Sequence, residues 1–320
     1  MNRRTLLKWG ITATTAAATA PVADGFSRQK EETGPPSPDY VGVLVDTTLC
    51  IGCRKCEEAC NRRNNLPRTA ESFSDRDVLR TFRRPSESAF TVVNQFSGSP
   101  SPDQAGIPQT FAKIQCMHCL YPSCVSACIV GALTKSAEGA VVYNPRICIG
   151  CRYCQVACPF QIPAYEFHEP LTPRVRKCEF CTDQAKGIGA NPACAASCPT
   201  EALVFGRRAE LVEIAQNRLK RRPDRYFNHI YGDSEVGGTS WIYLTGRPFE
   251  EVGLLKLPAD PPPRRTEVIQ HGIFEYGVIP IAFYGLLSYL MWRNQPKQPD
   301  ENSGTPRDGG GHSTGKGGAQ

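Results

Sequence analysis

Cys148-Ile-Gly-Cys151-Arg-Tyr-Cys154-Gln-Val-Ala-Cys158-Pro159 is the stretch that decides the reading of this chain. Its spacing, C-x₂-C-x₂-C-x₃-C-P, is one used for iron–sulfur ligation. Three thiolates in a tight loop can hold three corners of one [4Fe–4S] cube, while the fourth cysteine leaves in a new direction. Gly150 lets the backbone bend sharply between the first two thiolates. N–H groups turned inward there can hydrogen-bond the sulfurs, and Pro159 fixes φ just after the last ligand.

The unit occurs twice. Cys50-Ile-Gly-Cys53-Arg-Lys-Cys56-Glu-Glu-Ala-Cys60 shares Cys-Ile-Gly-Cys-Arg and the alanine before the fourth cysteine. Two further runs are of a second type: Cys116-Met-His-Cys119 with Cys124 and Cys128, and Cys178-Glu-Phe-Cys181 with Cys194 and Cys198. Each of these closes C-x₃-C and is followed by Ala-Leu (Ala132-Leu133, Ala202-Leu203). The two types alternate along the chain, which marks an internal repeat.

The chain has 320 residues and 16 cysteines, and every cysteine falls inside one of the four runs. Length allows about two domains. A disulfide framework belongs to short secreted chains, and structural zinc uses paired C-x₂-C knuckles. A third cysteine at x₂ followed by C-x₃-C-P suits a cube better than either. Metal–thiolate bonds then contribute folding energy directly. A net charge of +6 is mild for this length and argues against a nucleic-acid partner. The basic run Arg218 to Arg222 reads as a solvated face.

Taken in order, residues 1–20 resemble an export signal: Arg3-Arg4-Thr5-Leu6-Leu7-Lys8 and then an Ala/Thr-rich stretch fit the twin-arginine route. Ala18-Thr19-Ala20 has a cleavage pattern, which Pro21 disfavours. Residues 21–39 read as a linker, and 40–262 as the cysteine-bearing domain. Strands are expected over Tyr40–Val45, Phe90–Val93, Gly139–Pro145 and Ser240–Thr245, with a helix over Ala209–Leu219. Pro248–Pro258 reads as an extended wrap. Residues 61–113 read as an insertion that either covers one side of the clusters or meets a partner. Residues 272–292 carry one charge, Glu275. At 1.5 Å per residue they reach about 31 Å, enough for a single transmembrane helix, with Pro280 as a tolerated kink. Arg293 and Lys297 put the C-terminus on the cytoplasmic side. Residues 293–320 read as a disordered tail.

Where runs pair, the first three cysteines of one hold a cube and the fourth holds its partner's. Runs two and three then give Cys116, Cys119, Cys124 with Cys158, and Cys148, Cys151, Cys154 with Cys128. Runs one and four, paired around the core 112–160, give Cys50, Cys53, Cys56 with Cys198, and Cys178, Cys181, Cys194 with Cys60. The alternative is that each run closes its own cube. Every ligand position is Cys, so four [4Fe–4S] clusters are expected. Asn61 and Ile129 stand where proline would follow a fourth cysteine. His118, between two ligands, reads as a neighbour that tunes potential or meets a partner.

Together with Lys177-Cys178-Glu-Phe-Cys181 and Cys158-Pro-Phe, the four runs resemble the four-cluster ferredoxin subunits of membrane-bound oxidoreductases, formate dehydrogenase β and dimethyl-sulfoxide or polysulfide reductase B subunits among them. The resemblance covers Tyr40 to about Pro258. It implies an α+β fold of tandem bacterial-ferredoxin-like domains with insertions. The export signal, the C-terminal helix, His229-Ile-Tyr-Gly-Asp233 and Gly237-Gly-Thr-Ser narrow it to the electron-transfer subunits of hydrogenase-2-type [NiFe] uptake hydrogenases. That family implies relay between hydrogenase small and large subunits and an integral membrane quinone-reactive subunit, on the periplasmic face of the inner membrane. A molybdopterin oxidoreductase is the alternative partner; a zinc-bearing binding module is the alternative of another class. No nucleophile–base set and no phosphate loop occurs in the sequence, so no catalysis is expected from this chain itself.

Overall fold

Strand β1 (Val41–Asp46) is the centre of the only three-stranded sheet among the described residues. The computed structural model describes residue 37 and residues 40–68, 71–97, 109–182 and 191–294, with backbone only for 264–279. The export-signal reading, nearly all of the linker and the tail beyond 294 lie outside the described residues. Two units divide the chain, Met1–Glu267 and Val268–Gln320.

Helix α1 (Lys55–Arg63) carries the end of run one. A hairpin of β2 (Thr91–Ser97) and β3 (Gln109–Gln115) follows. Run two holds the short helix α2 (Ser123–Ser126), then comes the hairpin β4 (Leu133–Lys135) and β5 (Val141–Tyr143). Run three holds α3 (Tyr153–Ala157), followed by the small ladder β6 (Ala164–Tyr165) and β7 (Val175–Arg176). Run four holds α4 (Ala193–Ala196) and leads into β8 (Leu203–Arg207) and α5 (Arg208–Arg221). Strand β9 (Trp241–Leu244) and helix α6 (Pro262–Arg293) complete the order. Each strand expected from alternation is present, offset by a residue or two, except that β2 runs four residues past the expected Val93 to Ser97. The wrap at 248–258 differs from expectation, because Phe249–Val252 turns as a 3₁₀ helix and buries Phe249 and Val252.

In the sheet, β1 pairs antiparallel with β8, Val43 opposite Phe205, and parallel with β9, Val43 opposite Trp241. Val43, Leu44, Trp241, Ile242, Tyr243 and Leu244 are all buried, so this sheet is covered on both faces. One face takes α5 through Leu44, Ile242, Leu211 and Ala215. The other joins Val43, Trp241 and Tyr243 to Met117, Phe160, Phe180 and Cys194. The sheet thus ties the first run to the fourth, as the repeat requires.

Run Arg218–Arg222 is not uniformly a solvated face. Arg218 Nη1 pairs at 2.8 Å with Asp46 Oδ2, a fully buried carboxylate that also accepts from Tyr226 Oη at 2.7 Å. Sequence periodicity cannot see this pairing, since the two partners lie far apart in the chain.

Helix α6 contains the stretch read as a membrane span, part of which (272–279) lies outside the residues with described side chains. Among the described residues no helix is long and apolar enough to cross a membrane. The described end of α6 is nevertheless bare: Ile281, Phe283, Tyr284, Leu286, Met291 and Trp292 are each more than half exposed.

Candidate iron–sulfur centres

The repeat seen in the sequence is repeated in backbone angles. Gly52 and Gly150 lie at φ +66° and +69°, and Arg54 and Arg152, two residues on, lie at +60° and +61°. A Cβ on Gly52 would meet the Phe111 ring at 2.5 Å, and one on Gly150 would meet Tyr165 Oη at 2.6 Å. Glycine is favoured there by conformation, and at 52 also by the lack of space beside the Phe111 ring. In the second-type runs, His118 and Phe180 occupy the matching left-handed position at φ +47° and +62°. Pro122 and Pro192 each precede the one-turn helix that carries the third cysteine.

These turns aim N–H groups at sulfur. Gly150 N–H donates to Cys148 Sγ (3.5 Å), Phe180 N–H to Cys178 Sγ (3.4 Å) and Ala132 N–H to Cys128 Sγ (3.1 Å). The last bond gives a reason for the Ala-Leu that follows run two: the alanine turns its amide to the fourth thiol while Leu133 enters the core.

No disulfide joins any of the sixteen cysteines in this structure. Helix α1 packs on α4, and α2 on α3, so runs one and four meet, as do runs two and three. One cavity, with about 410 Å³ of atom-free space, is lined by Cys50, Cys53, Cys56 and Cys198. A second, about 330 Å³, is lined by Cys128, Cys148, Cys151 and Cys154. In each, three thiols come from one run and the fourth from its partner. The remaining thiols also lie close enough to act on one another: Cys119 with Cys158, Cys116 and Cys124, Cys60 with Cys194 and Cys181, and Cys178 with Cys60, Cys116 and Cys194.

Burial pushes the thiols of Cys50 and Cys154 up to about 11 and that of Cys60 up to about 12, from 9.0; neighbouring thiols add to it. Cys56, Cys119 and Cys178 are likewise raised well above the ordinary thiol value, again through burial first. As protons these sites are expensive to remove. A bound cation, which replaces the protons, relieves that cost. Among the described residues no group of three or more His, Cys, Asp or Glu side chains is arranged to hold a single metal ion. The thiols surround cavities instead, and no carboxylate lines either of the two. Four thiols around each cavity, with otherwise mostly apolar walls and no carboxylate, fit [4Fe–4S] clusters.

His118 is wholly buried, its Nδ1 accepting from Val141 N–H at 2.9 Å, and burial with the charges of Lys177, Lys135 and Lys113 holds its pKa well below the imidazole range. Its full burial leaves it no surface at which to meet a partner. The three lysines were not visible as site residues in the sequence, where basic residues look dispersed. Lys113 and Lys177 are buried, and Lys135 Nζ donates to Cys119 O at 2.6 Å. Their one signal is position: Lys177 directly precedes a ligand and Lys113 stands three before one. The motif residues 229–240 also find a place. Thr239 bridges Cys119, Leu120 N–H donates to Gly238 O, and His229 Nε2 lies 2.6 Å from Glu235 Oε1, so this segment backs run two.

The insertion at 61–113 covers run one. Arg54 Nη1 donates to Ser72 O and Asp75 O (2.8 and 2.7 Å), and Arg76 Nη2 to Ile51 O (2.8 Å). Among the described residues run three lacks such a cover: Cys151 is exposed, with Ile149, Tyr153 and Val156 exposed beside it.

Residues 108–208 match the family model of a 4Fe-4S dicluster domain, which includes runs two, three and four. A protein of Nitratidesulfovibrio vulgaris is 46% identical over 242 residues, 75% of this chain and 64% of its own length; the chain thus spans under two thirds of that relative. The hydrogenase-2 operon protein HybA of Escherichia coli O157:H7 is 34% identical over 324 residues, 92% of this chain and 96% of that one. The iron–sulfur subunit of the nitrate-inducible formate dehydrogenase of Escherichia coli K12 is 32% identical over 71% of this chain and 77% of its own.

Proposed function

Since the chain belongs to the family of HybA and the formate dehydrogenase iron–sulfur subunits, an electron-transfer and not a catalytic family, we propose that it relays electrons through four [4Fe–4S] clusters between a periplasmic [NiFe] hydrogenase and a membrane quinone-reactive subunit. That it is an iron–sulfur protein of mixed α and β content follows from the family. The number of clusters and the partners are the proposal.

One observation carries it: two cavities are each lined by four thiols, three from one run and the fourth from its partner run. When bound, each cube exchanges one electron. The chain's own share is to supply thiolates, exclude water with Phe180, Trp241 and Phe160, and carry buried cations. Export by the twin-arginine route and anchoring by α6 are part of the same reading. The bare apolar residues of α6 support it, because a row of exposed Ile, Phe, Leu and Trp is costly in water and stable in lipid.

Anaerobic metal analysis with EPR before and after dithionite tests the relay. About 16 irons per chain, at four per cube, with interacting reduced signals is the expected result; zinc, or a colourless protein, overturns it. Similarity to the formate dehydrogenase subunit keeps one second reading, the same relay serving a molybdopterin enzyme. Co-purification from membranes distinguishes them, since a nickel-containing partner is expected and a molybdenum-containing one refutes the hydrogenase assignment.

A further inference from the structure

Lys113 lies near the end of β3 with its side chain buried, at 2% exposure. Its Nζ donates to Gln115 Oε1 at 2.8 Å and stands 4.2 Å from the centre of the Trp241 ring. Gln115 Nε2 donates in turn to Tyr243 Oη (2.6 Å), and Tyr243 Oη to Lys113 O (2.9 Å). Among the described residues no carboxylate pairs with it. A buried ammonium with only an amide and an indole face for partners is costly, and such charges persist where an anion compensates them. Lys113 lines the cavity of Cys50, Cys53, Cys56 and Cys198, and the groups acting on its charge include Cys194 and Cys178 of the neighbouring set. It therefore faces two thiol sets at once.

We propose that the Lys113 ammonium is the shared counter-charge of the clusters held by Cys50/Cys53/Cys56/Cys198 and Cys178/Cys181/Cys194/Cys60, and that it makes both easier to reduce. This rests on the four-cluster reading. A thiolate-bound cluster is net negative and gains one further negative charge on reduction, so a fixed cation in a dry site favours the reduced form. No bond forms or breaks, and Lys113 acts through its field and not as a ligand.

The test is an anaerobic redox titration of the iron-loaded full chain, followed by EPR. Dithionite, through a mediator dye, supplies one electron per centre and is oxidised to sulfite. In Lys113→Met two of the four centres should become harder to reduce, the reduced-to-oxidised ratio at a fixed potential falling at least tenfold, about 59 mV for one electron. Lys113→Arg should restore most of the shift. Gln115→Glu, which keeps the lysine and places a carboxylate against it, should give a shift of the same sign, and it decides the matter if Lys113→Met does not fold. Wild-type protein without iron would sink the four-cluster reading and this proposal together. A loaded wild type whose two neutralised variants titrate at unchanged midpoints would overturn this proposal alone.

Discussion

Arg54 and Glu57 form an ion pair of 3.0 Å whose side chains are only 2% and 4% exposed. They flank Cys56. Glu57 also accepts from Arg83 Nη2 (2.7 Å) and from Val93 N–H (2.6 Å), so one carboxylate joins the first cysteine loop to the hairpin β2–β3. Arg152 holds the same place in run three and the same left-handed φ, yet it is exposed and lies over the Tyr165 and Phe167 rings. An identical Cys-Ile-Gly-Cys-Arg motif therefore sits in two different environments.

Removing one partner of a buried pair leaves an uncompensated charge, at a cost of about 3–5 kcal/mol. Glu57→Gln should accordingly lower the stability of the iron-loaded chain by about 3 kcal/mol. Arg152→Ala removes an exposed cation over aromatic rings, worth about 0.5–1 kcal/mol. Anaerobic thermal unfolding of the two variants checks the contrast, and equal losses would contradict it.

The thiol shifts set a pH dependence for the iron-free chain. Cys50 and Cys154 at about 11 and Cys60 at about 12 hold their protons more tightly folded than at the ordinary 9.0. Such groups favour the fold below pH 9, and that stability is lost as pH rises through 11 to 12. Chelator-treated protein should thus melt lower at pH 11 than at pH 8, while iron-loaded protein, with its thiols already deprotonated, should show much less of this loss. A melting temperature for the stripped chain that rises with pH would show that these thiols are not desolvated.

Local chemistry made part of this architecture legible before any coordinates. The cysteine spacing, the glycines at 52 and 150 and the alternation of β1, β5 and β9 act within a few residues, and each has a counterpart in the fold. What stayed hidden acts over long separations: Arg218 on Asp46, the lysines among the thiols, and Glu57 binding the insertion to run one. Nothing in the residues 61–113 themselves says which side they cover, because much of their attachment runs through backbone groups, at Ser72, Asp75 and Val93, and the rest through arginines that resemble any surface arginine in the sequence.

Proline explains a difference between the two copies. Helix α3 stops at Ala157, ahead of Cys158-Pro159, whereas α1 continues through Cys60 to Arg63 because residue 61 is asparagine. Asn61 Nδ2 then holds Pro67 O at 2.9 Å and Leu66 N–H donates to Asn61 O at 3.1 Å. Asn61→Pro should cost about 3 kcal/mol, the price of proline inside a helix. At Ile129, exposed and outside any helix or strand, proline should cost under about 1 kcal/mol. Denaturant melts of the two variants decide it. Equal effects would mean that α1 does not need its last turn.

Crossed pairing of the runs makes the sharpest forecast. Cys198 belongs by sequence to run four but lines the cavity of Cys50, Cys53 and Cys56. If that cavity holds a cube, Cys198→Ser weakens the cluster of run one and leaves the other three. Alkylation of the anaerobic variant, read by peptide mass, should then label Cys50, Cys53 and Cys56 while Cys178, Cys181 and Cys194 stay protected. Iron should fall by about four per chain. The opposite labelling, with Cys178, Cys181 and Cys194 released, would mean that each run closes its own cube. The matching exchange, Cys60→Ser, should release Cys178, Cys181 and Cys194, so a pair of variants separates crossed from closed ligation without relying on either alone.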